Sequence, residues 1–387
     1  MVTVERLRPV EQGARQLAPD LARGIMLALI AVANSAIYLY GRPYGIRQHI
    51  IEHGWPDRVA SAVSMTVVDA RAYPMFAALF GYGMVQIWNR RRDDAEGRRV
   101  LRRRSWWLLA FGAVHATLLF SGDVLGVYGL VGLVLVRLLG VRDRTLLVLA
   151  ACWLVAVALA SALVFSTPEG TAQRSYFWSF AVEDPLTALA LRPLEWVTGP
   201  LGMLGVGTAA LVGVWAGRGA LLSSPDRLRR AALWGPLIGA AGGLPVGLIA
   251  AGVLAVHDPV VVMALNAVHV VTGIAGGLGY AALIGVLADR IGRRPGRRIG
   301  QRLGPVVTAL AACGQRSLTC YLLQSVGFVA LLSPYAGGLG GRLGSAATVA
   351  LALLTWAGIV VVAEVMRRAG ARGPAEVLMR RLVYPRR

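Results

Sequence analysis

The chain has 387 residues, of which 56% are hydrophobic and 16% charged, and its mean hydropathy is positive. This composition excludes a soluble globular domain. The net charge of +20 comes from arginine alone, because the sequence contains no lysine. Since the arginines lie between apolar runs, they indicate membrane topology rather than nucleic-acid binding.

The apolar runs predict an all-α fold, a transmembrane helical bundle of about ten spans within a single integral membrane domain, 1–387. Each run is about long enough to cross a hydrocarbon core of roughly 30 Å. The third and fourth spans form a tight hairpin, because only Ser-Gly-Asp, at 121–123, lies between their apolar halves. In chain order the predicted spans are 21–40, 72–88, 105–121, 124–139, 145–165, 198–216, 231–256, 261–287, 306–332 and 346–365.

The arginines alternate between the two sides of this predicted bundle. Of the 40 basic residues, 32 lie on one side, 7 on the other, and Arg316 lies inside the ninth span. The positive-inside rule therefore places both termini in the cytoplasm. A cleaved signal at the first run is the alternative, but Asp20 and Arg23 adjoin that run, and nine spans would break the alternation.

His115 and Asp123 flank the turn of the predicted hairpin. An ionisable residue inside a membrane helix is costly to bury and is by default a hypothesis for a functional site. The alternative is structural: a neutral histidine can bridge two helices, and an aspartate can cap the following helix.

Other polar residues are predicted at a similar depth toward the outer face or within the ninth span. Because such groups should face one another or water, we expect a cavity that opens outward with Arg316 at its floor, or else interhelical hydrogen bonds scattered around the bundle. The three cysteines have no paired spacing, so no metal site is expected. The expected substrate-binding residues are Arg71, Asn266, His269, Gln315, Arg316 and Gln324.

Two loops carry further hypotheses. The basic loop 90–104 is either a solvated face beside anionic lipid or a binding site for the phosphates of a cytoplasmic donor, with Arg102, Arg103 and Arg104 as its ligands. The outer segment 166–197 contains an aromatic cluster that we interpret as an anchor at the membrane interface.

Four stretches make the chain resemble the YeiB-like family, known as domain of unknown function 418. They are LAPDLARGIMLALIAVAN, VVDARAYPMFAALFGYG, LLAFGAVHATLLFSGDVLGVYGLVG, and GQRSLTCYLLQS with GPAEVLMRRLVY. The C-terminal half, 198–387, is typical of that family, although Cys320 stands where the family often has Asn. The N-terminal half, 1–165, is similar to the transmembrane acyltransferases that include heparan-glucosaminide acetyltransferase.

This second resemblance implies transfer of an acyl group from cytoplasmic acyl-CoA to a sugar on the other side of the membrane. It implies that Asn34, Asp69 and His115 take part. The group's histidine corresponds alternatively to His49 or His53, so the identity of the base stays open.

The predicted function is therefore a multi-pass acyltransferase of the bacterial plasma (inner) membrane. Its donor would be acyl-CoA and its acceptor a hydroxyl or amine of an extracytoplasmic glycan or lipid. Membrane lipids are the expected surroundings, nucleic acid is not an expected partner, and a homo-oligomer is left open. The alternative is a transporter or flippase-like carrier of an anionic small molecule or lipid, and a structural partner of an envelope complex ranks third.

Overall fold

The computed structural model of the chain describes residues 12–91, 93–164, 170–199, 205–219, 224–292 and 304–384. Across these ranges it is helical, and its only β pairing is two isolated bridges at Tyr44. The predicted all-α fold is confirmed.

The described residues form fourteen α-helices. They are α1 (Gln12–Ser35), α2 (Trp55–Val67), α3 (Ala72–Asn89), α4 (Asp94–Leu118), α5 (Val124–Leu138), α6 (Asp143–Val164), α7 (Pro185–Thr198), α8 (Gly205–Gly217), α9 (Pro225–Ala250), α10 (Pro259–Gly292), α11 (Pro305–Gln315), α12 (Ser317–Leu332), α13 (Ser345–Arg368) and α14 (Pro374–Val383).

Five of these helical segments are long and apolar enough to cross a membrane, and the bent pair α11 and α12 makes a sixth if it counts as one span. Two shorter apolar helices, α5 and α8, coincide with further predicted spans. The chain is thus a membrane protein with several spanning helices. Three helices outside the predicted spans, α2, α7 and α14, were not expected.

The basic segment 90–104 was predicted to be a loop, and this is wrong for most of its length. The Asp93 carboxylate accepts hydrogen bonds from the backbone N–H groups of Ala95 and Glu96, so it caps a helix that begins at Asp94 and continues into the third predicted span. The arginines at 98, 99 and 102–104 therefore lie on a helix with defined faces.

The ninth predicted span is not one straight helix. It breaks at Arg316, where α11 and α12 meet at an angle of 88°. Just before the break, α11 crosses α1 so closely that a Cβ atom on Gly314 would lie 1.7 Å from the backbone oxygen of Asp20. Glycine at this position lets the two backbones touch.

Aromatic side chains fill one end of the bundle, where α1 and α4 end. We call Tyr38, Phe120, Phe180 and Phe328 the aromatic layer. The ring of Tyr38 lies 4.7 Å from that of Phe180 and 5.7 Å from that of Phe120. Phe180 is 2% exposed, so the aromatic cluster of segment 166–197 packs partly into the core rather than serving only as an anchor on the membrane surface.

Candidate functional site

His115 lies at the centre of a buried polar relay that joins three helices. Its Nδ1 atom is 2.8 Å from Asp123 Oδ1, and its Nε2 atom is 2.8 Å from Ser325 Oγ. The side chains of His115 and Asp123 are 1% and 0% exposed. The structure thus brings the two predicted residues together and adds a serine that the sequence analysis did not select.

The local sequence explains this arrangement. Asp123 caps α5, since its Oδ2 atom accepts the Gly126 N–H at 2.7 Å, and this hydrogen bond fixes the carboxylate. A Cβ atom on Gly112 would lie 2.5 Å from Asp123 Oδ2, so only glycine lets α4 approach the cap. Because the carboxylate accepts from Nδ1–H, the Nε2 atom of His115 is left to accept the Ser325 hydroxyl proton.

A second polar cluster surrounds Asp69. His269 Nε2 lies 3.0 Å from Asp69 Oδ2, the Tyr73 hydroxyl donates to Oδ1 at 3.3 Å, and the Arg47 guanidinium forms an ion pair with the same carboxylate. Burial raises the pKa of Asp69, but Arg47 and the hydrogen bond to His269 outweigh it and hold that pKa well below its usual range. Asp69 is therefore an anion.

Arg71 is bound inside this second cluster. It is 0% exposed, and its guanidinium donates to the backbone oxygen of Gly239 at 2.6 Å and lies 2.9 Å from His269 Nε2. Ala70, beside it, has a φ of 58°, which is rare for a residue with a Cβ atom. Asn266 is also fully buried and lies one helical turn from His269 on α10.

The alternative bases lie near this cluster or outside it. Burial lowers the pKa of His49 to about 4, with Arg174 and Arg47 adding to the effect and Asp69 opposing it. His53 is exposed. Among the described residues, His115 is the histidine that contacts the Asp123 carboxylate, so the relay belongs to His115.

The remaining predicted residues are dispersed. Asn34 is half-buried, and its side chain has no hydrogen bond to a described residue. Gln324 donates to the Leu27 carbonyl at 2.9 Å, and Gln315 donates to Asp20 at 3.0 Å. The residues predicted at one depth thus do not form one site.

Arg316 stabilises the break between α11 and α12. Its guanidinium donates to the Ala371 carbonyl at 2.6 Å and to the Ala312 carbonyl at 3.1 Å. Next to it, the Glu376 carboxylate of α14 accepts the Leu318 N–H at 2.8 Å and so caps α12. Arg316 does not line the cavity described below.

A cavity of about 1590 Å³ lies at the arginine-rich end of the bundle, and we call it the basic cavity. This end is formed by the N-terminal half of α1, the C-terminal end of α3 and the helix α14, whereas the aromatic layer is at the other end of α1. The cavity therefore lies at the end that the arginine distribution predicts to be cytoplasmic. Its lining includes Arg23, Arg90, Arg91, Arg104, Arg218 and Arg380.

Of the three arginines predicted to bind phosphate, only Arg104 lines the basic cavity. Arg102 and Arg103 are exposed on other faces of α4. The Arg104 guanidinium lies 5.4 Å from the centre of the Phe80 ring and forms no hydrogen bond or ion pair with a described residue. Arg23, which also lines the cavity, has a loose ion pair with Asp20 at 3.6 Å.

The inner end of the basic cavity reaches Tyr321 and Tyr128. The ring of Tyr321 lies 4.9 Å from that of His115, so one side chain separates the cavity from the relay. The buried Tyr321 hydroxyl lies near the Val124 backbone but makes no hydrogen bond of ordinary geometry to a described residue. Tyr128 donates to the Tyr73 carbonyl at 3.0 Å. Since the Tyr73 hydroxyl donates to Asp69, Tyr128 connects the cavity with the second cluster.

Sequence reasoning did not find Ser325, Tyr321 or Glu376 as site residues. All three lie in stretches that carried the family resemblance, GQRSLTCYLLQS and GPAEVLMRRLVY. The spacing of Tyr321 and Ser325, four residues apart, places both on one face of a helix. Nothing in the sequence indicates that this face meets a histidine 210 residues earlier.

The fold and the site define a multi-span helical membrane protein with a buried Asp–His–Ser relay beside a basic cavity. Residues 216–386 match the family described as Protein of unknown function (DUF418). The predicted resemblance to the YeiB-like family is confirmed over these residues.

Two bacterial relatives are similar to the chain. The Uncharacterized protein YxaH of Bacillus subtilis (strain 168) is 23% identical over 418 residues, covering 98% of this chain and 96% of that protein. The Uncharacterized protein YeiB of Escherichia coli (strain K12) is 30% identical over 135 residues, covering 33% of this chain and 32% of that protein. The similarity to YxaH therefore extends over the whole bundle.

Proposed function

We propose that the chain is a membrane acyltransferase. It takes an acyl group from acyl-CoA through the basic cavity and transfers it to a hydroxyl or amine of a glycan or lipid on the other side. One observation carries the proposal: the cavity extends from a cluster of arginines to Tyr321, whose ring contacts the buried His115.

The topology belongs to the same proposal. Ten spans, with both termini and the basic cavity facing the cytoplasm of a bacterium, follow from the distribution of 32 arginines on one side and 7 on the other. Acyl-CoA is made in the cytoplasm, so the donor and the cavity would be on one side of the plasma membrane.

The residues at the cavity fit the donor. Arg104 is a guanidinium without an anionic partner among the described residues, and Arg23 lies close enough for the two charges to repel each other. A diphosphate between them would relieve that repulsion, since guanidinium groups bind phosphate oxygens through paired, charge-assisted hydrogen bonds. Apolar residues deeper in the cavity, such as Leu27, Ile30 and Leu108, suit a pantetheine arm.

The relay supplies the acid–base chemistry. Nε2 of His115 can accept a proton from a nucleophilic hydroxyl, while Asp123 holds the ring in the required tautomer and stabilises the imidazolium that forms. The Tyr321 hydroxyl, at the inner end of the cavity, is a buried donor suited to the oxyanion that develops on the thioester carbonyl.

A carrier for an anionic small molecule or lipid is the second candidate. One observation favours it: the basic cavity lies at one end of the bundle and the packed aromatic layer at the other, as in one state of an alternating-access cycle. The two candidates differ in chemistry, because only the transferase breaks the thioester.

Inside-out membrane vesicles that contain the protein separate the candidates. They would receive acetyl-CoA labelled in the acetyl group, and both free CoA thiol and label in extracted lipid and glycan would be measured. We expect thiol release matched by acetylated acceptor, at rates above those of vesicles lacking the protein. Label that enters the vesicles as intact acetyl-CoA, without thiol release, would overturn the proposal in favour of the carrier.

A further inference from the structure

We infer that Ser325 is a nucleophile and that acyl transfer proceeds through an acyl-serine intermediate on α12. The inference rests on the proposed function and adds a covalent step to it. Its basis is the relay itself: Asp123 Oδ1, His115 Nδ1, His115 Nε2 and Ser325 Oγ follow one another with two contacts of 2.8 Å.

The geometry assigns a direction to each hydrogen bond. Asp123 accepts from Gly126 N–H and from His115 Nδ1–H, so Nε2 carries a lone pair. The Ser325 hydroxyl has two acceptors within reach, Nε2 at 2.8 Å and the Tyr321 carbonyl at 3.5 Å, and the shorter contact takes the proton. A serine that donates to a histidine oriented by a carboxylate is the arrangement that activates a hydroxyl as a nucleophile.

Tyr321 provides the fourth group that such a site needs. It lies one helical turn before Ser325, lines the basic cavity and is 3% exposed, and its hydroxyl makes no hydrogen bond of ordinary geometry to a described residue. Burying a hydrogen-bond donor without an acceptor destabilises the fold, whereas a buried donor that binds the oxyanion stabilises the transition state of the reaction. Ser325 itself does not line the cavity, and the Tyr321 ring lies between the cavity and His115, so we expect Tyr321 to move when the donor reaches the serine.

The position of the relay explains why a covalent step is useful. His115 packs between Tyr321 on the cavity side and Phe120 of the aromatic layer, with ring centres 4.9 and 6.4 Å away. A donor from one side and an acceptor from the other would otherwise have to meet inside a packed core. An acyl-serine stores the acyl group, so the two substrates react one after the other.

The proposed steps balance. In the first, Ser325 Oγ attacks the thioester carbonyl while Nε2 of His115 takes the Oγ proton. The tetrahedral intermediate then breaks the C–S bond, and His115 returns the proton to the sulfur, which leaves CoA-SH and an acyl-serine ester. In the second, an acceptor hydroxyl attacks the ester, His115 takes its proton and passes it to Oγ, and the acylated acceptor leaves.

The test traps the ester. Purified full-length protein would be mixed with acetyl-CoA labelled in the acetyl group and no acceptor, quenched in acid and digested. We expect close to one label per protein on the peptide that contains Ser325, released by neutral hydroxylamine. S325A should carry no label and lose about 10³-fold in transfer, whereas S325C should form a thioester that is detected on the same peptide.

S333A is the matched control, because Ser333 is another buried serine at the end of the same helix and does not contact His115. It should label and transfer like wild type. The inference fails alone if wild type and S325A transfer acetyl equally and no ester forms. If wild type transfers nothing, the proposed function fails. Labelling of Ser325 by a fluorophosphonate, lost in H115Q, would in that case still support an activated serine. No labelling of Ser325 by the fluorophosphonate would overturn the inference as well.

Discussion

Replacement of Arg104 by glutamine tests the donor site most sharply. Of Arg102, Arg103 and Arg104, Arg104 is the one that lines the cavity, and it has no anionic partner in the described part of the chain. A charge-assisted hydrogen bond contributes about 1.5–3 kcal/mol, so R104Q should weaken CoA binding roughly 10 to 150 fold. Removing a charge that repels Arg23 should leave the ligand-free protein at least as stable as wild type.

Thermal unfolding of detergent-solubilised protein with and without CoA measures both effects. At 100 times its Kd a ligand stabilises by about 2.7 kcal/mol, and a 100-fold loss of affinity reduces this to about 0.4 kcal/mol. R103Q is the control, because Arg103 is exposed on another face of α4 and should keep the full ligand shift. An equal shift by CoA in wild type, R104Q and R103Q would refute the assignment of phosphate binding to Arg104.

Three further predictions concern stability. E376Q should lower the melting temperature by removing the charge that caps α12, with a cost of about 1–3 kcal/mol, whereas E364Q, in a surface ion pair, should change it little. G314A should destabilise by about 3 kcal/mol or more or prevent folding, because its Cβ would overlap a backbone oxygen of α1, while G358A has open space. The pKa of His49 falls from 6.5 to about 4 on folding, so stability should decrease as pH drops through that interval, and H49Q should reduce this dependence.

Membrane helices were predictable because their signal is local. Each apolar run can be recognised from its own residues, without knowledge of the rest of the chain. Every predicted span coincides with a helix or, for 306–332, with two. The break at Arg316 was not predictable, since it depends on Glu376 and Ala371, which are more than 50 residues away. The helix through Arg98 to Arg104 was not predicted, because its charges suggested a loop, although Asp93 and Glu96 are typical of a helix start.

Two of the three relay residues could be predicted from the sequence, and the third could not. His115 and Asp123 lie eight residues apart around one turn, so the hairpin itself brings them together. Ser325 reaches them only through the packing of α12, and serine is common in membrane helices, so its role has no local signal. The basic cavity was not predicted, because polarity predicts burial among helices but does not predict which end of a bundle packs tightly.

The most direct test of the central claim is acyl transfer by wild type, H115Q and H53Q in membranes that hold equal amounts of each protein. If His115 is the general base reached from the basic cavity, H115Q should lose about 10² to 10⁴ fold in rate, and H53Q, at an exposed histidine, should match wild type. Full transfer by H115Q, or loss confined to H53Q, would contradict the account.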